Sequence, residues 1–535
     1  MKIIPVPPTR LSIAASTLMS LLAFTLPAWS QATQPQTQTP FALSKQTTVL
    51  TEPLLPDGTP DYLAALNAKY AKDVTPQNNA FIPFLSIRGT ASAFPDPKTR
   101  PEILKLLGTQ ESPPDESHFS SFSAYLTSHP SPITPDDGMN VLIEAERQLW
   151  TPAEHPELAA YLQTQAPLFD RLTQAAKLPH FYAPFYSPTG NFTEAPVPRA
   201  TGLVEIFRTW ITRATLRAAS GDIDGAAADL RAIKQLARLF PQQGSIIFSL
   251  LGYVTDTIAT DAAGIIAASG KLTPAQCDTL ARALDLPPMP SLADPYTTGE
   301  RYRTLQLLQW TLTGKFRQAY GTDLTNKQTD VFNTIDFARI DGNLLLKEFN
   351  AFRDRETAVF TSTNRKFIDA LSKSLQQDLK QWTDAAKKRG DTLAPDLGES
   401  KNDYTIRILH ALIAVTAPRM DGRANDALDR QLQSDMLPAL FAAAKFKAQT
   451  GNWPTSLQQL LPTYLKEIPT DPYADNNAKI QYTLINNRPR LFSVGPDALP
   501  DTPDDLIIGE PRPLSPPAAP RTPTPTTPAP GTGLP

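Results

Sequence analysis

The run "RPRLFSVGPDALPDTPDDLIIGEP", residues 488–511, places Asp497, Asp501, Asp504 and Asp505 within nine positions, between an aromatic, strand-like stretch and a proline-rich tail. Carboxylates at that density can hold a hard cation, share a proton as an acid–base pair, or cap the donors of a solvated turn. The sequence alone leaves all three open. No HExxH helix, GxSxG elbow, Walker loop, GxGxxG fingerprint or pair of cysteines accompanies them.

Elsewhere the reactive residue types are scattered. His118, His129, His155, His180 and His410 lie far apart, so a three-histidine metal site would need long-range convergence. Cys277, the only cysteine, sits in "LTPAQCDTLARAL" and reads as a small buried helix residue; intramolecular disulfides are therefore excluded. Glu144 and Glu146 point to different sides of a helix, which argues against a glycosidase pair. "FARIDGNLLLKEF" imitates a calcium loop from Asp341 to Glu348, but Phe337 and Arg339 stand where its first carboxylates belong. Asp341 is predicted instead to cap a helix.

The whole chain sets bounds on these local readings. Its 535 residues suffice for several domains, and a net charge of −3 provides no basic field for nucleic acid, which is excluded as a partner. The start, "MKIIPVPPTRLSIAASTLMSLLAFTLPAWSQ", has Lys2 and Arg10 around an apolar stretch from Leu11 to Leu26, then Ala28-Trp29-Ser30. That is the pattern of a secretory signal peptide, so an exported protein of the periplasm, cell envelope or extracellular space is expected. Retained uncleaved, the segment would act as a membrane anchor, the one route to a membrane.

Composition and periodicity divide the chain into five segments: a signal peptide at 1–30, a flexible leader rich in Gln, Thr and Pro at 31–55, a helical body at 56–400, a segment at 401–509 that opens with a helical pair, and a disordered Pro-rich tail at 510–535. Tyr62, Leu63, Leu66 and Tyr70 recur at helical spacing, and Thr75-Pro76 reads as the start of a second short helix. Leu203, Phe207, Trp210 and Ala214 share one helix face, and a turn at Ser220-Gly221-Asp222 makes a helical hairpin. Ser245 to Gly270 reads as a buried core helix whose Asp256 and Asp261 meet basic groups such as Arg301 or Arg303. A long charged helix is expected between about Glu348 and Arg389, closed by Lys387, Lys388 and Arg389 before Gly390. The aromatic, proline-rich stretch from Leu178 to Pro198 either lines a groove or is pinned over the core. The predicted fold class is mainly α: a multi-helix body of packed hairpins with a small C-terminal α+β module.

From about Ala424, "LPALFAAAKFKAQTGNWPTSLQQLLPTYLKEIPTDPYADNNAKIQYTLINNRPRLFSVGPD" resembles the C-terminal half of type II secretion major pseudopilins. The resemblance implies a long helix ending at "TGNWPTSLQQL", a short helix and Asp-Pro turn in "YLKEIPTDPY", and closing strands in "IQYTL" and "RLFSVGPD". It also implies calcium held by the acidic loop, with Asp497, Asp501, Asp504 and Asp505 as ligands. Pro500 and Pro503 depart from that pattern, where glycine is common. The helix from Arg423 carries Asp426, Asp429, Arg430, Asp435 and Lys445, so it cannot serve as the membrane helix of a pilus subunit. More broadly, "GTPDYLAALNAKYAKDVTPQNNA", "ASGDIDGAAADLRAIKQLARL" and "GERYRTLQLLQ" together resemble a group of large exported bacterial proteins. That resemblance implies a mainly helical fold with this small α+β module at 401–509, and leaves the activity open.

The expected function is that of a non-enzymatic exported scaffold that binds a protein partner in the cell envelope. The alternatives are an exported hydrolase using carboxylates, and a secretion-system accessory protein.

Overall fold

A computed structural model describes residues 39–510 except 114–117, 200–201, 316–330, 363, 391, 417–422, 475 and 477. The expected signal segment, the first part of the expected leader and the tail from Pro511 lie outside the described residues. Among these, helices of eight residues or more are α1 (Tyr62–Tyr70), α2 (Phe81–Arg88), α3 (Arg100–Leu107), α4 (Gly138–Glu146), α5 (Pro156–Ala175), α6 (Leu203–Ala219), α7 (Ile223–Leu239), α8 (Ile246–Ala268), α9 (Pro274–Leu284), α10 (Arg301–Leu312), α11 (Gly342–Thr361), α12 (Arg365–Arg389), α13 (Lys401–Thr416) and α14 (Arg423–Thr450). A small antiparallel sheet closes the chain in the order β1 (Gln481–Ile485), β2 (Arg488–Ser493), β3 (Leu506–Ile508). The described residues are therefore mainly helical with a small C-terminal sheet, in agreement with the expected fold class.

Local chemistry explains the element ends. Asp222 accepts from the Gly225 amide at 2.9 Å and starts α7, while Gly221 supplies the positive φ of the α6–α7 turn. Asp341 caps α11 by accepting from Leu344 N at 3.0 Å, the role its sequence context assigns. Thr273 and Gln276 form a reciprocal capping box on α9. β1 and β2 are joined by Asn486 and Asn487, both at positive φ, and Asn tolerates that conformation better than other non-glycine residues.

Several boundaries differ from expectation. The segment from Glu348 to Arg389 is two helices: Ser362 turns extended after α11, and the Asn364 side chain caps α12 through Phe367 N. Thr75-Pro76 forms a turn, and α2 begins at Phe81, because the buried Asn79 side chain bonds to Phe81 N and to the distant Tyr182. "YLKEIPTDPY" is not a short helix but bends and extended chain, with Thr470 bridged to Lys479. A third strand, β3, extends the expected pair beyond the acidic loop, where "LII" carries the β-branched signal.

Residues 39–55, expected to end a flexible leader, are packed. Phe41 is buried, Asn350 Nδ2 donates to the carbonyls of Gln46 and Thr47, and the Tyr62 hydroxyl donates to Thr48 O at 2.8 Å. Gln and Thr there serve as backbone supports for the second core, which composition alone hides.

Among the described residues, two large apolar cores result, beside a small third cluster of Ala237, Ile246, Tyr253, Met289, Leu292 and Tyr296. One joins α2–α9 to α14 and the sheet; the other joins Phe41, α1 and α10–α13 to Phe185 and Phe192. Within the expected 401–509 segment, α13 belongs to the second core and α14 to the first. The C-terminal segment is no separate appendage. Gly264 of α8 lies so close to Gly509 that a Cβ there would sit 3.0 Å from its amide nitrogen. The aromatic stretch 178–198 is pinned down: Phe181 packs among Phe81, Phe84, Phe240 and Phe248.

Ionic joints tie the helices of the first core together. Asp229 accepts from Trp210 Nε1, Arg213 and Arg217, clamping α7 to α6. Asp256 meets neither Arg301 nor Arg303, contrary to expectation, but pairs with Lys234 at 2.9 Å and Arg238 at 2.6 Å. The reason is proximity: α7 packs on α8, whereas Arg301 is engaged by Asp354. Lys234 is wholly buried and also reaches Thr260 Oγ1 and, at 3.4 Å, Ser434 Oγ of α14. Burial pushes the Asp256 pKa up, and the two cations more than reverse it.

Lys234→Met should destabilise the fold by roughly 3 kcal/mol, because Asp256 loses its buried partner. Lys234→Met combined with Asp256→Asn should recover part of that loss in urea denaturation. A single variant as stable as wild type would show the joint to be incidental.

Candidate functional site

The structure separates the four loop aspartates into two pairs with different work. Asp497 Oδ1 accepts from Leu499 N at 2.8 Å, and Asp504 accepts from Asp497 N at 3.0 Å and from the Thr502 hydroxyl at 2.7 Å. These carboxylates brace the turn. Hydrogen bonds from Thr502 and the Asp497 amide hold Asp504 below the usual carboxylate range. Asp501 and Asp505 instead face Arg490 of β2, at 2.9 and 3.4 Å, and the guanidinium lies 4.7 Å from the Phe492 ring centre. Asp505 has a fully buried side chain whose Oδ1 lacks a partner, and burial raises its pKa.

This arrangement does not fit a calcium cage. The oxygens are divided between turn donors and a resident guanidinium, and among the described residues no group of three or more His, Cys, Asp or Glu could hold a metal ion. Arg490 is the residue that sequence reasoning missed. Its signal stands in "RPRLF", one strand before the acidic loop.

The other reactive types are absorbed by packing. His129 stacks on Tyr125, His410 on Trp382, and His155 meets Trp150 edge-on. His118 bonds to Ser86 O, and His180 pairs by backbone with Asn79 and Ala80. Cys277 is buried, and burial pushes its thiol up to about 11, which makes it a poor nucleophile. Glu146 is buried against Arg208; desolvation raises it to about 7 despite that cation. It lines neither of the two hollows flanking the segment Asp285–Pro290.

Two adjoining hollows among the described residues lie over α14. The segment Asp285–Pro290, "DLPPMP", crosses the helix as a strap held by Arg238 Nε on Pro287 O at 2.6 Å, Tyr253 on Pro290 O at 3.0 Å, and Met289 N on Gln431 Oε1 at 3.1 Å. On one side is a hollow of about 550 Å³ lined by Leu284, Leu286, Leu437, Pro438 and Phe441, with Arg282, Asp285 and Asp435 as its charges. On the other is one of about 490 Å³ lined by Tyr253, Met289, Leu292, Val359, Phe360 and Leu428. Pro288 and Gln431 line both, so the two hollows adjoin across the strap and together make up the groove on its two sides. Pro438 stands exposed inside α14 and offers no N–H to the Ser434 carbonyl. Beneath this floor, Ser434 touches the buried Lys234. Comparison of the chain with protein-family models, curated proteins and solved structures yields no match.

Arg490→Gln should cost roughly 2–3 kcal/mol in urea denaturation by stranding the buried Asp505, and adding Asp505→Asn should restore most of it. Full stability in Arg490→Gln would refute the pairing. For Glu146 the folded pKa, about 7, lies above the ordinary 4.5, so its contribution is present below pH 4.5 and is lost as pH rises through 7. Wild type should therefore lose about 2–3 kcal/mol more than Glu146→Gln over that interval, at about 1.4 kcal/mol per unit. Parallel stability curves would contradict the assignment.

Proposed function

We propose that the protein is an exported, non-enzymatic helical scaffold that seats a protein partner of the cell envelope or extracellular space in the groove over α14. The observation that carries this reading is the groove itself. Its lining is aromatic, aliphatic and proline side chains with a few charges at the edge, the composition of a peptide-recognition surface. Its floor is immobilised from behind by the Lys234–Asp256–Arg238 joint. A preorganised floor lowers the ordering cost of association.

Capture from an envelope fraction on immobilised full-length protein should return a reproducible partner. Leu286→Asp and Pro438→Glu, at half-buried and exposed groove positions, should keep the circular dichroism of wild type yet retain about tenfold less of it. A partner held equally by both variants, or no reproducible partner, would overturn the proposal.

A further inference from the structure

The groove has an occupant within reach of the same chain. The last described strand, β3, lies on α14, where Gln433 Nε2 donates to Ile507 O at 3.3 Å. Gln433 is flanked along that helix by Gln431, Ser434 and Asp435, which line the groove. The chain therefore leaves the structure at Glu510 beside the helix that floors the groove. Beyond Glu510 the sequence runs "PRPLSPPAAPRTPTPTTPAPGTGLP", twenty-five residues with ten prolines, Arg512 and Arg521, and no acid. The hollow on the α9 side of the strap has two carboxylates, Asp285 and Asp435, against one guanidinium, Arg282. Charge and surface chemistry are thus complementary.

We propose that residues 511–535 dock in the groove over α14 as an intramolecular ligand, an assignment that rests on the groove being a protein-binding site. Proline-rich chain favours an extended left-handed helix of about 3.1 Å per residue, so twenty-five residues can span roughly 75 Å. The lateral distance to cover is of the order of one helix diameter, about 10 Å. Proline-rich segments lose little entropy on docking into grooves lined by aromatic residues, and Tyr253, Phe360 and Phe441 supply such a lining. A tether this short maintains an effective concentration on the order of millimolar, so weak contacts suffice. Arg512 and Arg521 lie nine residues apart and can meet Asp285 and Asp435 at the groove edge. An external partner must then displace the tail, which makes the tail a built-in competitor.

The test uses the full-length chain with p-benzoylphenylalanine in place of Leu514 or Leu534, irradiated and mapped by mass spectrometry. Crosslinks should join the tail to residues 281–293 or 428–441 of the same molecule, and Pro438→Glu or the pair Arg512→Glu and Arg521→Glu should cut their yield about fivefold. Crosslinks confined to other surfaces, or a yield unchanged by these variants, would overturn the inference. Mixing isotope-labelled and unlabelled chains identifies mixed-isotope crosslinks, which would assign the groove to the tail of a second copy and refute intramolecular docking. If the tail misses the groove while Leu286→Asp still abolishes partner capture, the tail assignment falls and the scaffold reading stands. If the tail docks and no partner is captured even by Arg512→Glu, Arg521→Glu, the scaffold reading falls and the tail assignment stands.

Discussion

A wholly buried ammonium governs the middle of this protein. Lys234 gives up its water and is compensated by Asp256, Thr260 and the more distant Ser434, so helices α7, α8 and α14 meet at one point. An ion buried this deeply is tolerable only with its partners in place, and that requirement fixes the position of α14 relative to the other two. Arg238 extends the joint outward by bonding both Asp256 and the carbonyl of Pro287. The same network that aligns three helices thus sets the height of the strap. The groove is a by-product of that alignment, and its walls α9 and α14 also pack on each other and are joined by the Lys445–Asp278 ion pair.

The acidic loop obeys the same principle near the surface. Arg490 serves Asp501 and Asp505, while Thr502 and backbone amides satisfy Asp497 and Asp504. Negative charge that looks unopposed along the sequence is opposed in space by a residue on the preceding strand. Asp471 shows the pattern in its most buried form: its carboxylate accepts from Ser493, Val494 N and Tyr473 N and so fastens the Asp-Pro turn to β2.

Much of the architecture is legible in the sequence because its causes are local. The α6–α7 hairpin, the caps at Asp341 and Asp222, the basic close of α12 at Gly390 and the two strands around Asn486-Asn487 each arise from residues within one or two turns of each other. Reading fails where a distant partner decides the outcome. Nothing near Asp256 announces Lys234, and nothing in residues 39–55 announces Asn350 and Tyr62. The split of the long charged segment at Ser362–Asn364 is readable in principle, since Ser and Asn interrupt the helix there, but unbroken charge periodicity masks it. Of the candidate site, sequence shows the acidic loop and cannot show the groove. A groove is a relation between α9, α14 and a strap contributed by separate parts of the chain, and periodicity carries no record of which faces are left uncovered.

The chain order of the first core has a kinetic consequence. Helices α7, α8 and α9 are made together, but the wall they need, α14, comes more than 130 residues later in sequence, after the whole of α10–α13. Until α14 arrives, the Lys234 ammonium and the apolar flank of α8 have no cover on that side. Closing contacts over such a separation is slow compared with local helix formation, and partly built cores are prone to self-association. A chain emerging from the ribosome would therefore hold an unfinished surface while α10–α13 and α14 are being made, which is the state that a chaperone recognises.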